Sequence, residues 1–347
     1  MAVILERPVW VEVSLENIIH NYREVRRLVG PAVQVMAIVK ANAYGHGAAE
    51  VAKSLDEAGA DRFGVAIMNE AVQLREKGIK KPILILGWTP EEDYKRAFLY
   101  GITLTMFSLE EARELSRIAS EMDQKAVVHL KIDTGMGRIG FRPTKSSLLD
   151  IEKILTLPGL EVEGIFTHMA RADEKDKAFT RQQLIVFEQF VKEIEDETGF
   201  EFSIKHAANS AAILDHPEAY FDMVRPGIML YGLKPSGEVA LHKVALKQAL
   251  SLRARVSHVK EVPPDTPISY GGRFITKADS LIATLPLGYA DGYSRLLSGR
   301  AEVIYRGQWA PVVGRICMDQ CMFDATGLEP RVKQGDLVTL IGYDGGK

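Results

Sequence analysis

Six polar residues stand at or just beyond the ends of short, apolar, β-rich runs, and their types suit one kind of chemistry. Lys40 ends the run 33–40, Arg138 follows 126–133, and His168 ends 160–168. Asn209 and Ser210 follow 202–206, and Arg225 lies within 223–230. A lysine facing a desolvated pocket beside other cations has a lowered pKa, and a neutral amine is what imine formation with an aldehyde requires. Taken singly, Lys40 carries little weight, because a strand-end lysine that snorkels to solvent is commoner. As a set at equivalent ends of successive strands, the six define a candidate active site.

The runs that position them number eight: 33–40, 63–67, 82–88, 102–107, 126–133, 160–168, 202–206 and 223–230. They alternate with longer amphipathic, charged stretches, the pattern of repeated βα units. Eight units predict an α/β fold, a (β/α)8 TIM-type barrel, rather than an open doubly wound sheet of five or six strands. Helix starts carry local signals. Ser108-Leu-Glu-Glu111 reads as a capping box, and Thr89-Pro90-Glu-Glu92 as a cap with proline at the first helical position. Beyond residue 240 the runs 252–259, 280–287, 301–305 and 337–342 follow one another between Gly, Pro and Asp turns, predicting a mostly β C-terminal domain. The expected division is therefore 1–240 for the barrel and 241–347 for the β domain, with residues 1–14, through Trp10-Val-Glu-Val13, as candidates to pair with the latter.

Composition excludes several classes. The 43 Lys and Arg nearly balance 46 Asp and Glu, a net charge of −3, which leaves no basic footprint for nucleic acid. No apolar run reaches the roughly 18 residues of a membrane span. The N-terminus, with Glu6, Glu12 and Glu16, lacks a signal-peptide layout, so the cytoplasm is the default. The two cysteines, Cys317 and Cys321, lack the ligand number of a zinc site and are read as buried reduced thiols; no metal is expected.

The string Lys40-Ala-Asn-Ala-Tyr-Gly-His-Gly47 resembles the cofactor-lysine motif of alanine racemases. Further matches follow in order: Lys131-Ile-Asp-Thr-Gly-Met-Gly-Arg-Ile-Gly140, Thr167-His-Met-Ala-Arg-Ala-Asp173, Ala208-Asn-Ser210, Arg225-Pro-Gly-Ile228, Ser269-Tyr-Gly271, Gly288-Tyr-Ala-Asp-Gly292 and Gly314-Arg-Ile-Cys-Met-Asp-Gln320. The resemblance runs from Val9 to about Gly342. It implies a barrel that binds pyridoxal 5'-phosphate, a β domain, and a homodimer in which Tyr270 and Met318 reach the partner's site. It also implies interconversion of L- and D-alanine, which supplies D-alanine for peptidoglycan.

Residue by residue, the resemblance makes Lys40 the cofactor lysine and the base on one face of the substrate, with Tyr270 on the other. Racemisation through a planar carbanion needs a proton exchanged on each face. Arg225 is placed against the pyridine nitrogen, where a guanidinium is too basic to give up a proton; His168 packs by the ring and links Arg225 toward Tyr270. Tyr44, Ser210 and the amides of Gly227 and Ile228 are expected to hold the phosphate, with Asn209 beside them. Arg138 and the Met318 amide are expected to meet the substrate carboxylate. Lys131 resembles a lysine that some members carry as a carbamate, and Tyr289 and Asp319 are expected to line the substrate's way in.

Gly135-Met-Gly-Arg-Ile-Gly140 also satisfies G-x-G-x-x-G after a strand. A dinucleotide site is rejected, because Phe141-Arg-Pro143 follows at once where a helix would have to open. Members of the resembled family run on to an Arg-rich stretch with a tyrosine near the phosphate, whereas this sequence ends at Gly345-Gly-Lys347; a weakened phosphate site is the expectation. The alternatives are a broader-specificity racemase, or a pyridoxal-phosphate decarboxylase of basic amino acids with the same architecture. The decarboxylase would carry a carboxylate in place of Arg225. A cofactor carrier without turnover would be a barrel alone.

Overall fold

The computed structural model describes residues 8–344. The described residues fall into two compact units, Leu15–Gln248 and the stretches on either side of it, 8–14 with 249–344. In order, the strands are β1 (Val9–Val13), β2 (Gln34–Ile38), β3 (Arg62–Val65), β4 (Ile83–Ile85), β5 (Leu104–Met106), β6 (Ala126–Lys131), β7 (Leu160–Phe166), β8 (Ile204–His206) and β9 (Met223–Val224). There follow β10 (Leu250–Arg255), β11 (His258–Val262), β12 (Pro267–Ile268), β13 (Phe274–Ile275), β14 (Ser280–Leu285), β15 (Glu302–Tyr305), β16 (Gln308–Val313), β17 (Cys321–Asp324) and β18 (Leu337–Ile341).

Strands β2 to β9 build the first unit. Two parallel four-stranded sheets run β4-β3-β2-β9 and β5-β6-β7-β8. A parallel bridge between Leu84 and Thr103 joins β4 to β5. On the other side, the Asp222 N–H donates to the Lys205 carbonyl (3.1 Å) and the Arg225 N–H to the Ala208 carbonyl (2.9 Å), joining β8 to β9. The eight strands thus close into a (β/α)8 barrel. Helices cover its outside, so strands such as Ile83-Leu-Ile85 are buried on both faces and read as continuous apolar runs. Met36, Ile38, Leu84, Ile204 and Met223 pack together as one core cluster.

Three local expectations change. The run 223–230 yields only the short β9, because Pro226 has no N–H to continue the ladder and the chain turns into the 3-10 helix Ile228–Tyr231. Ser108 does cap the helix Leu109–Glu121, its hydroxyl accepting the Glu111 N–H. The Glu111 carboxylate does not return the bond; it accepts from Trp88 Nε1 at 2.8 Å. Residues 241–248, read from the sequence as the start of the β domain, are tied to the barrel unit. Asn21 Nδ2 donates to the carbonyls of Leu230 (3.0 Å) and Lys247 (2.7 Å), and its Oδ1 accepts the Lys247 N–H (2.7 Å). That strand of chain lies so close that a Cβ on Gly232 would meet the Lys247 carbonyl.

The second unit is an antiparallel sheet in the order β1-β10-β18-β15-β16-β17-β14-β11, with a ribbon β12-β13. Trp10-Val-Glu-Val13 forms part of β1, paired with β10; residues 1–7 of the expected pairing segment lie outside the described residues. The run 252–259 is two strands rather than one. At Val256-Ser257 the backbone changes partner, Val256 donating to Asp336 and Ser257 to Thr284, so β10 pairs with β18 and β11 with β14. Tyr305, Phe323, Val303 and Val338 lie in its core. Cys321 is buried there as expected, but Cys317 is only half-buried.

Candidate active site

Lys40 follows β2 and opens a left-handed turn. Ala41, Asn42, Ala43 and Tyr44 have φ of 51°, 53°, 55° and 54°. Each L-residue so placed costs roughly 1–2 kcal/mol, so the run persists only because its surroundings hold it. The Glu70 carboxylate accepts the N–H groups of Ala41 (2.6 Å) and Ala66 (2.7 Å), and Asn42 Oδ1 accepts that of Ala48 (2.8 Å). Tyr231 packs on the rings of Tyr44 and His46 and ties its own hydroxyl to the Ile38 carbonyl. The turn brings the Tyr44 hydroxyl against Gly227, where a Cβ would lie 2.6 Å from it. Ala43 is fully buried in this turn. Because Ala41 is exposed, Ala41→Gly is expected to stabilise the protein by about 1 kcal/mol, read as a higher urea midpoint at unchanged slope.

The turn delivers Lys40 and Tyr44 into a cavity of about 360 Å³ at the C-terminal ends of the barrel strands. Arg138, His168, Asn209, Ser210, Arg225, Gly227 and Ile228 line the same cavity, as does Lys131. Four basic side chains, Lys40, Lys131, Arg138 and Arg225, line it with one carboxylate, Asp173. Burial and the neighbouring Arg138 hold the Lys40 amine below the ordinary lysine range, with Glu70 pulling the other way. Burial raises the Tyr44 phenol, which stays a donor. Asn209 caps the helix Ser210–Asp215, accepting the Ala212 N–H with Oδ1. Ser210 Oγ accepts the Gly227 N–H at 2.9 Å, so hydroxyl and amide meet at one end of the cavity.

Arg225 is 4% exposed. It donates to the carbonyls of Thr167 (2.8 Å) and Ala207 (3.0 Å), to His168 Nδ1 (3.2 Å) and to His206 Nδ1 (2.8 Å). Burial pushes its guanidinium down to about 9, which leaves it charged at neutral pH. Burial and then Arg225 hold both His168 and His206 well below the usual histidine range, so both rings are neutral acceptors. His206 was missed as a site residue, although a histidine closing a strand just before Ala207-Ala-Asn209 was a readable signal.

Lys131 is 2% exposed, its amine donating to the Ile132 carbonyl at 2.9 Å and lying 5.1 Å from the centre of the Phe166 ring. Burial, then Arg225, brings it down to about 7. The loop carrying Arg138 leaves and rejoins the end of β6: Asp133 Oδ1 accepts the N–H groups of Gly135 and Gly137, and the Phe141 N–H returns to the Lys131 carbonyl. The next helix opens only at Lys145, capped by Thr144. The three glycines therefore serve this loop and not a helix N-terminus.

The second unit carries the remaining expected residues. Tyr270 follows Ser269, whose φ of 64° is held by a bond from its hydroxyl to the Arg315 carbonyl. Tyr270 is 66% exposed and Met318 54% exposed. With Asp319 they line a separate concave surface of this unit. Tyr289, half-exposed, donates its N–H to the Cys317 carbonyl. The close approach fixes Gly288, where a Cβ would meet the carbonyls of Cys317 and Met318.

Residues 13–235 match the family model for the alanine racemase N-terminal domain and 249–347 that for the C-terminal domain. An alanine racemase of Methanococcus maripaludis is 50% identical over 342 residues, spanning 99% of this chain and 91% of its own. The solved alanine racemase of Clostridium difficile 630 superposes with a TM-score of 0.93 at 41% identity, over 98% of this chain and 88% of that one. That of Bartonella henselae, solved with covalently bound pyridoxal phosphate, gives a TM-score of 0.86 at 31% identity, over 97% and 91% of the two chains.

Proposed function

The chain belongs to the alanine racemase family, and on that premise we propose that it interconverts L- and D-alanine with pyridoxal 5'-phosphate held on Lys40. The observation that carries this is the cavity itself: a lysine amine held below its ordinary range, in a lining that holds three further basic side chains, Lys131, Arg138 and Arg225, and one carboxylate, Asp173. That donor set fits a ligand bearing both a phosphate and an aldehyde. Tyr44, Ser210, and the amides of Gly227 and Ile228 would hold the phosphate, with Asn209 fixing the helix start beside them. Pyridoxal 5'-phosphate, when bound there, supplies a conjugated electron sink that makes the α-proton of an attached amino acid removable.

The chain's own residues then divide the work. Lys40 takes or returns the α-proton on one face, and Tyr270 does so on the other. Arg225, charged at neutral pH, would offer a ring nitrogen only N–H donors and no proton, so a cofactor held against it would supply a weaker electron sink. Transamination and decarboxylation would thereby be disfavoured. A decarboxylase would need a carboxylate where Arg225 stands. Arg138 and the Met318 amide orient the substrate carboxylate, while Tyr289 and Asp319 border its way in. Tyr270 and Met318 come from a second copy of the chain, a reading supported by their exposure in their own unit. No helix among the described residues is long and apolar enough to cross a membrane, in keeping with a cytoplasmic supply of D-alanine for peptidoglycan.

Borohydride treatment of the purified protein is expected to fix the cofactor on the peptide containing Lys40; labelling elsewhere, or none, overturns the assignment. Lys131 is proposed to bind carbon dioxide as a carbamate that positions Arg138, because its buried amine is neutral above about 7. Incubation with 13C-bicarbonate is expected to give a carbamate NMR signal that fades as pH falls through about 7 and is absent from Lys131→Gln. A spectrum without that signal refutes the modification.

A further inference from the structure

Behind Arg225 a line of polar side chains, buried at its histidines and part-buried at Glu163 and Arg62, runs down the barrel interior to the far end of the strands. His206 Nε2 lies 2.9 Å from His129 Nδ1, and His129 Nε2 lies 2.9 Å from Glu163 Oε2. Arg62 clamps Glu163 with two bonds, of 2.7 and 2.6 Å. Arg62 opens β3, Glu163 lies in β7, His129 in β6 and His206 ends β8. Both histidines are fully buried. Space is reserved for them: a Cβ on Gly164 would lie 2.7 Å from the His129 ring, and Phe166 stacks on His206 at 4.6 Å and 6°.

The direction of every bond in this line is determined. Against burial, which raises it, the bonds from His129 and Arg62 hold the Glu163 carboxyl down to about 2, so it only accepts. His129 must therefore carry its proton on Nε2. Burial keeps His129 neutral, so its Nδ1 is bare and His206 must donate to it from Nε2. His206 is neutral in turn, and its bare Nδ1 accepts from Arg225. An ionised carboxylate at one end thus fixes two tautomers and presents an acceptor, never a donor, to the guanidinium at the other.

We propose that Glu163 is a remote positioning residue for racemisation: through His129 and His206 it fixes the proton register that holds Arg225 in place at the cavity. The proposal rests on the reading of Arg225 given above. If the terminal group can donate as well as accept, the register can reverse. His129 then presents Nδ1–H, His206 turns its Nδ1–H toward Arg225, and two donors confront each other among buried side chains. Arg225 must shift, and with it the group that it holds.

Glu163→Gln makes this test, since a carboxamide both donates and accepts. Side-chain 15N NMR of the purified full-length protein, with and without added pyridoxal phosphate, should show wild-type His129 and His206 each carrying hydrogen on Nε2 alone. In Glu163→Gln the His206 signals should split between the two tautomers. The kcat for alanine should fall on the order of tenfold, the scale for losing a supporting outer partner, with KM little changed. Glu163→Asp, which keeps the carboxylate, should recover the wild-type tautomers. A wild-type His206 protonated on Nδ1 overturns the proposal even where the variant does not fold. So does a Glu163→Gln protein with wild-type tautomers and kcat. Failure of the functional reading is separate: it would show as absent racemisation with these same tautomers intact.

Discussion

Lys40→Ala is expected to lower kcat for alanine racemisation by about 10⁴-fold in both directions, the upper end of the range for a single acid/base group. The effect belongs at that end because one side chain has two roles, anchoring the cofactor and moving the proton. Loss should be equal from either enantiomer, since the anchor serves both. The fold should not suffer. Lys40 lies near Arg138 and Arg225 in the cavity lining, and removing it relieves like-charge repulsion, so the urea midpoint is expected to hold or rise. A loss of activity accompanied by a collapse of the midpoint would show a structural role instead. Polarimetry and urea titration on the same preparation separate the two.

Tyr270→Phe is expected to give a different signature of nearly the same size. Removing one hydroxyl takes away the proton donor on one face and leaves Lys40 on the other. In deuterated water, one enantiomer should still exchange its α-proton at Lys40 while conversion to the other falls roughly 10²–10⁴-fold. Equal exchange of both enantiomers at the original rates would refute the two-base assignment. The same variant tests the placement in a second copy. Mixing inactive Lys40→Ala and Tyr270→Phe chains allows hybrid dimers with one complete site, provided Tyr270 serves its partner's Lys40. Recovered activity on mixing is expected; if the residue acts within its own chain, each site keeps one defect and mixing recovers nothing.

The barrel was legible because its strands are apolar on both faces, so strands such as β4 stand out between amphipathic helices. Strand ends were not. Pro226 cut the eighth run short, and the backbone at Val256-Ser257 exchanges partners without any change in apolar character. Residues 241–248 read from the sequence as the start of the β domain, since what ties them to the barrel unit is Asn21, more than two hundred positions away. In the candidate site, the motif around Lys40 was readable as a string, but its left-handed turn was not; alanine at 41 and 43 says only that the positions are small. The line from Arg225 to Glu163 stayed hidden for a related reason. A histidine in Val127-Val-His-Leu130 or a glutamate in Val162-Glu-Gly164 looks like any strand residue until the barrel closes and brings β6, β7 and β8 side by side.

The most direct test is the optical rotation of pure L-alanine and, separately, pure D-alanine incubated with the purified protein and pyridoxal phosphate. Enantiomers have equal free energies in an achiral solvent, so both solutions should decay to zero rotation with total alanine conserved. Rotation that stays constant in both, or that changes only as alanine is consumed to another product, contradicts the account.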